Sequence, residues 1–404
     1  MMRFKRELVR FKYTLMLLLC AAFLGAQVPL KDSPNLKLGA DRPGAYLPSL
    51  YGKRVGLLVN QTSTMANGQH LVDFLLENDI KVQRIFSPEH GFRGKASAGE
   101  NVEDGRDPKS GLEVISLYGN NRRPSKEQIQ DLDIVVFDIQ DVGARFYTYI
   151  STMTYMMEAL AGAGKKMLIL DRPNPHGYYI DGPVLEPKHS SFVGLHQVPV
   201  IHGMTVGEYA QMLNGERWLK GGLICDLEVI PCLSYDHNTR YAIPIKPSPN
   251  LPNDTAIVLY PSLCFFEGTK VSVGRGTPYP FQLIGAPWFK EGNLNFTPKE
   301  NEGAKNPPYE NQHCKGFLLQ EFSNSYIDGL GELYLFWLVE SYKMSPQPGQ
   351  FFNSFFTLLA GTKQLQAQIE SGMELEEIRA SWQEDLEQFQ LKRRRYLLYP
   401  DFEH

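Results

Sequence analysis

The feature that most limits the fold of this chain is a rhythm. From residue 55 onward, short and largely apolar runs recur at helix-length intervals: Val55 to Val59, Val82 to Phe86, Val114 to Leu117, Ile134 to Phe137 and Met167 to Leu170. Runs of four or five residues are too short for buried helices and fit strands covered on both faces. The stretches between them, such as His70 to Glu77 and Thr152 to Ala161, set apolar residues three and four apart, the helical spacing. Strand-helix alternation of this kind predicts an α/β fold built on a parallel sheet with helices on both faces.

Parallel strands place every loop that follows a strand on the same edge of the sheet. Those loops are Asn60-Gln61-Thr62-Ser63, Ser87-Pro88-Glu89-His90-Gly91-Phe92-Arg93-Gly94, Tyr118-Gly119-Asn120-Asn121-Arg122, the run from Asp138 to Tyr149, and Asp171-Arg172-Pro173-Asn174-Pro175-His176-Gly177. Carboxylates, amides, guanidinium groups and phenols therefore converge on one rim, and ligands of open α/β sheets bind beyond the carboxyl ends of the strands. Such a rim suits a polyhydroxylated ligand. No glycine-rich dinucleotide signature or phosphate loop follows any of the five runs, so no nucleotide cofactor is expected. In the second loop, Pro88 and the glycines stop the strand and leave Glu89 and His90 at its end. Two readings of that pair stand side by side: an acid-base couple, or a helix cap followed by a turn residue.

Beyond Asp181 the rhythm loosens. Thr205 and Glu208 have capping-box spacing, which favours a helix start over catalysis for Glu208. Pro244, Pro247, Pro249 and Pro252 forbid regular structure and mark a domain junction. The expected organisation is an export signal over residues 1–26, a Rossmann-like domain over 38–250 and a smaller α+β C-terminal domain over 251–404. In the second part, Glu267 lies between Phe265-Phe266 and Gly268-Thr269, and Arg275 lies between two glycines. Aromatic surroundings disfavour the ionised form of a carboxyl group, which suits a general acid. Arginine offers a bidentate fork to a ligand carboxylate, and flanking glycines let a ligand come close. Equally, Glu267 and Arg275 can simply pair with each other. From Gly316 onward the pattern is mostly helical, clearest over Leu333 to Tyr342 and Met373 to Leu386. The phenylalanines at 351, 352, 355 and 356 read as core, and Lys392-Arg393-Arg394-Arg395 as a solvated helix end.

The formal net charge of -4, with 21% charged residues and no long basic run, gives no reason to expect nucleic acid. The first thirty residues combine a basic segment (Arg3, Lys5, Arg6, Arg10, Lys12), an apolar run from Tyr13 to Leu24 and the small-residue site Leu24-Gly25-Ala26. That is the pattern of an export signal, so a periplasmic or secreted protein is expected, without a transmembrane segment once the signal is removed. A lipid anchor on Cys20 fits less well, because Leu19 is large where lipidation sites take a small residue. The remaining cysteines, Cys225, Cys232, Cys264 and Cys314, have neither disulfide-framework density nor the close pairs of a zinc site. Buried thiols are expected, with Cys225 to Cys232 the pair if a bridge exists.

Taken together and in order, Ser87-Pro88-Glu89-His90-Gly91, Asp138 to Tyr149, Asp171-Arg172-Pro173-Asn174-Pro175, His202-Gly203-Met204-Thr205, Phe266-Glu267-Gly268-Thr269 and Gly274-Arg275-Gly276-Thr277 resemble the NamZ-type exo-β-N-acetylmuramidases, glycoside hydrolase family 171. The resemblance spans nearly the whole chain after the signal. It implies a Rossmann-like domain and a smaller one with a cleft between them, and release of N-acetylmuramic acid from the non-reducing end of peptidoglycan fragments; no cofactor or metal is expected. It also makes Glu89 the expected catalytic glutamate. Glycoside cleavage needs a proton donor and a group to handle an oxocarbenium-like carbon, and Glu89 with Glu267 is the expected pair, at about 5 to 10 Å once the cleft closes. The 2-acetamido group of the sugar is an alternative nucleophile. His90 would orient Glu89, Arg275 or Arg145 would meet the lactyl carboxylate, and Asn60, Asp138, Tyr147, Asn174 and Asn250 are the further sugar-binding candidates. A metal-dependent hydrolase using His90, Asp138, Asp141, Asp171 and His202, and a non-catalytic cell-wall glycan-binding protein, are the alternatives.

Overall fold

Strand β1 (Arg54–Val59) sends Val55, Leu57 and Val59 to one side and Leu58 to the other, and every residue after Arg54 is buried. The same alternation holds in β5 (Ile134–Asp138) and β6 (Lys166–Leu170), where Ile134, Val136, Leu168 and Leu170 join one apolar cluster and Val135, Phe137, Met167 and Ile169 the other. A sheet that is apolar on both faces must be covered on both. Helices Pro43–Leu50 and Leu71–Glu77 cover the first face, and Tyr149–Ala163 and Val206–Gly215 the second. A computed structural model describes residues 30–89, 91–92 and 105–402. The segment expected to be an export signal and His90 lie outside the described residues.

The main sheet has seven strands. With β2 (Lys81–Ser87), β3 (Gly105–Arg106), β4 (Glu113–Ser116) and β7 (Asp226–Ile230), its order is β3-β4-β2-β1-β5-β6-β7, and only β3 is antiparallel to its neighbour. The parallel strands are thus arranged third, second, first, fourth, fifth and sixth, the doubly wound Rossmann order. The smaller C-terminal part carries an antiparallel sheet of β8 (Leu283–Ala286), β9 (Leu294–Phe296) and β10 (Cys314–Leu318), in the order β8-β10-β9, together with several short helices. The α/β fold with a Rossmann-like sheet and a smaller second part is therefore what forms. Residues 231–253, which contain the four prolines, run between the two parts without helix or strand.

The two parts do not meet across an empty cleft floor. Phe146 packs edge-on against Tyr260 at 5.4 Å and Phe265 at 5.9 Å, and Tyr147 against Tyr260 at 5.8 Å. One apolar cluster runs from Phe86 and Phe137 of the sheet through these rings to Phe281 and Phe356. Arg145 stitches the same junction. It is 1% exposed, and its guanidinium donates to the carbonyl oxygens of Pro183, Val198, Leu359 and Ala360, each at 2.8 Å. The C-terminal tail is tied back as well. Tyr399 donates to Asp171 at 2.6 Å, and the Arg393 guanidinium donates to Gly203 O and to Asp401.

Several expectations change here. Arg393 is not a solvated helix-end cation; it is fully buried. The helix expected over Met373 to Leu386 is two helices, Leu375–Ala380 and Gln383–Arg393, whereas Cys225, Cys232, Cys264 and Cys314 are buried free thiols, as expected. Replacing Arg145 by Met would leave the buried carbonyls of Pro183, Leu359 and Ala360 without a donor, while Val198 O keeps the Leu185 N–H, at about 1–3 kcal/mol for each one not re-satisfied. R145M should therefore lose several kcal/mol in urea unfolding, and a midpoint within error of the parent would contradict the stitching role.

Candidate active site

A cavity of about 670 Å³ opens at the carboxyl ends of β2 and β4, bounded by the C-terminal part. Such a volume falls in the range of small-ligand sites. Glu89, Tyr118, Arg122 and the turn Phe146-Tyr147-Thr148 line it from the Rossmann-like part. Ser248 and Asn250 contribute from the proline-rich connection, and Tyr260, Cys264, Glu267, Arg275, Phe281 and Phe355 from the C-terminal part. The two glutamates expected to act together thus share one cavity. The parts share a core beneath it, and both side chains line the same space.

Glu89 arrives there because β2 ends at Ser87 and Pro88 cannot continue the ladder. Its Oε2 accepts a hydrogen bond of 2.6 Å from the Thr148 hydroxyl. Thr148 is the N-cap residue of helix Tyr149–Ala163, yet its side chain caps no backbone N–H of that helix. The hydroxyl that ordinarily satisfies a helix N-terminus is given to the glutamate instead. Behind them, burial raises the Tyr149 phenol above its ordinary pKa, with Glu89 and Asp141 adding to the shift. The Tyr149 hydroxyl donates to Pro247 O at 2.9 Å, pinning the proline-rich connection to the sheet.

Across the cavity, Glu267 Oε1 accepts from Arg275 Nε at 2.6 Å, and the Cys264 thiol lies 3.8 Å from Oε2. Of the two readings of this pair, mutual ion pairing is what forms, so the Arg275 guanidinium is already engaged by protein. Its CZ also sits 5.1 Å from the Phe281 ring centroid. Burial lowers the Arg275 pKa while Glu267 raises it, and the net shift is upward. Tyr147 lines the cavity, and its buried hydroxyl has no hydrogen-bond partner among the described residues. Asn250 lines it too, with Nδ2 donating to Gly303 O at 2.6 Å so that it fastens the 303–306 loop.

The remaining candidates do not reach the cavity wall. Asn60 is fully buried, and its Oδ1 accepts from the backbone and hydroxyl of Thr62 at 2.8 and 2.6 Å, shaping the turn after β1. Asp138 is fully buried and bidentate to Arg172 at 2.5 and 2.9 Å. Arg145 is the carbonyl clamp already described. Asn174 donates to Met204 O and accepts from His176 N, packed beneath Gly143. These side chains occupy the crevice where the strand order reverses. Ser63 donates to Asp138 O and Thr62 accepts from Gln140 N, so that crevice is filled by the chain itself. The open space lies beside it, over β2 and β4.

The metal-ligating alternative meets the same difficulty. Asp138 is held by Arg172. Asp171 accepts from Thr205, Gly207 and Tyr399, and His202 Nδ1 accepts from Met204 N. No group of three or more His, Cys, Asp or Glu side chains among the described residues is placed to hold a metal ion. Glu208 closes the capping box with Thr205, as its spacing predicts. Thr148 is the residue that the sequence reading passed over. It stands inside a motif singled out for its acids and phenols, and threonine at a helix start reads as an ordinary cap.

With the geometry in place, comparison with known proteins decides the family. Residues 55–255 match the family model described as exo-beta-N-acetylmuramidase NamZ, N-terminal, and residues 258–399 match its C-terminal counterpart. The chain belongs to the NamZ family. It is 38% identical over 374 residues to the peptidoglycan beta-N-acetylmuramidase NamZ of Bacillus subtilis (strain 168), an alignment covering 88% of this chain and 89% of that protein. Two crystal structures of DUF1343 family proteins from Bacteroides fragilis NCTC 9343 share the architecture. One has a TM-score of 0.84 at 47% identity, covering 91% of this chain and 99% of the other; the second has 0.77 at 29%, covering 90% and 99%. These relatives extend across both parts of the chain, so the cavity between the parts lies wholly within the region of similarity.

Asp141, beside this site, supplies a pH test. Burial pushes its pKa up to about 7, the Gly143 and Val142 backbone N–H groups opposing, and Oδ2 has no partner among the described residues. The folded chain therefore keeps a proton that the unfolded chain releases from about pH 4 upward. The stability tied to this group is full below that point and is lost as pH rises through about 7, on the order of 4 kcal/mol in all. D141N has no charge to bury, so its Tm relative to the parent should rise between pH 5 and pH 8; a pH-independent difference would contradict the assignment.

Proposed function

We propose that this NamZ-family chain is an exo-acting glycoside hydrolase that removes N-acetylmuramic acid from the non-reducing end of peptidoglycan fragments, with Glu89 and Glu267 as its working carboxyl groups. The observation that carries the site assignment is that these two side chains, 178 positions apart in sequence numbering (267 minus 89), line one sugar-sized cavity. The name of the Bacillus subtilis relative supports the substrate class.

Glycoside hydrolysis requires a proton for the departing oxygen and stabilisation of an oxocarbenium-like carbon. Glu89 serves as the proton donor. The Thr148 hydroxyl holds Oε2 and so fixes the carboxyl group at the cavity wall, from where it delivers its proton to the glycosidic oxygen. Glu267, ion-paired with Arg275, is the carboxylate that faces developing positive charge at the anomeric carbon. The Asn250 side chain stands on the wall as a sugar-binding group, and the Tyr147, Tyr260, Phe281 and Phe355 rings supply apolar surface for the sugar faces. Export to the periplasm or exterior, suggested by residues 1–26, would place the enzyme where its substrate is found.

Replacing Glu89 with Gln should lower release of muramic acid from a chromogenic muramide by about 10²–10⁴-fold while leaving the unfolding temperature near that of the parent. Retained turnover would remove Glu89 from the mechanism. Thr148 offers a finer test. A hydrogen bond to a charged acceptor is worth about 1.5–3 kcal/mol, so T148V should reduce kcat by about 10- to 100-fold. Because that hydroxyl caps no helix N–H, its loss should cost little stability; a large fall in Tm with unchanged kcat would show that Thr148 serves the fold alone.

A further inference from the structure

Three cationic side chains line the cavity: Arg122, Arg275 and Lys305. Arg275 is engaged by Glu267 at 2.6 Å. Arg122 has a different setting. Its guanidinium carbon lies 4.4 Å from the centroid of Phe192 and 6.0 Å from that of Tyr118, and no carboxylate among the described residues is within ion-pair distance of it. The next residue makes the contrast. Arg123 lies 3.7 Å from the centroid of Tyr155 and is ion-paired to Glu158. Of two adjacent arginines seated on aromatic rings, the one at the cavity therefore has no acidic partner among the described residues.

The topology places Arg122 with the chemistry. Strands β2 and β4 run parallel with Ser87 opposite Ser116, so Glu89 and Tyr118 each lie two residues beyond the same paired position. The loop bearing Arg122 thus rises beside the proposed proton donor, and Tyr118 and Phe192, themselves 6.2 Å apart, form its aromatic support on the cavity wall. A guanidinium resting on a ring face keeps its N–H fork available at the edge, where it suits a planar carboxylate.

We propose that Arg122 is a specificity-determining residue that binds a carboxylate of the substrate. This rests on the functional reading above and sharpens it. A carboxylate reaches this site from two sources: the lactyl group that distinguishes muramic acid from glucosamine, or a peptide amide-linked to that lactyl group. Both present the same chemistry to a guanidinium. Arg145, expected from sequence for this role, is held by four carbonyls, and Arg275 gives its Nε to Glu267; Arg122, seated on aromatic rings beside the Glu89 loop, presents a planar fork that the Lys305 ammonium lacks.

The test uses the full chain and four aryl β-glycosides: N-acetylmuramide as the free acid, its neutral lactyl N-methylamide, muramyl-L-alanine, and the N-acetylglucosaminide that lacks the lactyl group. R122Q should raise KM by about 10- to 100-fold for a substrate bearing the recognised carboxylate, and leave kcat/KM for the neutral amide and the glucosaminide unchanged. R122K, which keeps the charge but not the fork, should recover part of the loss. Loss on the free acid identifies the lactyl carboxylate; loss on muramyl-L-alanine alone identifies the peptide carboxylate. Equal loss on charged and neutral substrates, or no loss on either acid while the parent enzyme cleaves them, overturns the role of Arg122 and leaves the hydrolase reading intact. A parent enzyme that cleaves no muramide overturns both. The side chain is solvent-exposed, so R122Q should unfold at the parent temperature, and its unfolding curve separates recognition from a folding defect.

Discussion

The edge-to-face contact of Phe146 and Tyr147 with Tyr260 and Phe265 is the constraint from which the site follows. It turns two structurally different parts into one body with a shared apolar core, and the cavity is what remains above that core. Because the turn carrying Phe146 and Tyr147 continues into Thr148, the same packing fixes the hydroxyl that holds Glu89. Because Tyr260 and Phe265 flank Cys264 and lead to Glu267, it also fixes the opposite carboxylate.

Much polar chemistry on the sheet rim serves this arrangement without touching the open space. Asp138 and Arg172 neutralise each other, Asn60 folds the turn after β1, and Asn174 ties the loop after β6 to Met204. A buried charge or amide left unpaired is costly, and the chain supplies partners for the Asp138 carboxylate, the Asn60 Oδ1 and the Asn174 amide. The reversal of strand order would ordinarily leave a crevice between β1 and β5. Here that crevice is closed by Thr62 and Ser63 bonded to the backbone at Asp138 and Gln140, and the ligand space lies one strand over.

The large elements were legible because their periodicity is strong. The runs beginning at Val55, Val82, Val114, Ile134 and Met167 are all strands, and Thr205 with Glu208 does start a helix. What stayed hidden has local causes. Strand β7 is a half-exposed edge strand, so it lacks the continuous apolar run that marked the others. The small sheet pairs Gly285 with Gly316, and a Cβ on Gly316 would lie 2.1 Å from Ile284 O. Glycine reads against a strand in sequence but is required there by the close backbone approach. At the site, residue type identified which groups could do acid-base or carboxylate chemistry, and it named Glu89, Tyr147, Asn250, Glu267 and Arg275, which line the cavity. It could not tell a carboxylate that meets solvent from one that meets Arg172, since that depends on which loop fills the crevice.

The central claim is that the scissile bond lies between Glu89 and Glu267 in the cavity above β2 and β4. A crystal structure of E89Q with an uncleaved muramyl disaccharide tests it most directly. The account predicts the glycosidic oxygen within about 2.6–3.2 Å of the residue-89 side chain, with the muramic acid ring between it and Glu267. A sugar bound instead over Asn60 and Asp138, or with its glycosidic bond out of reach of residue 89, would contradict it.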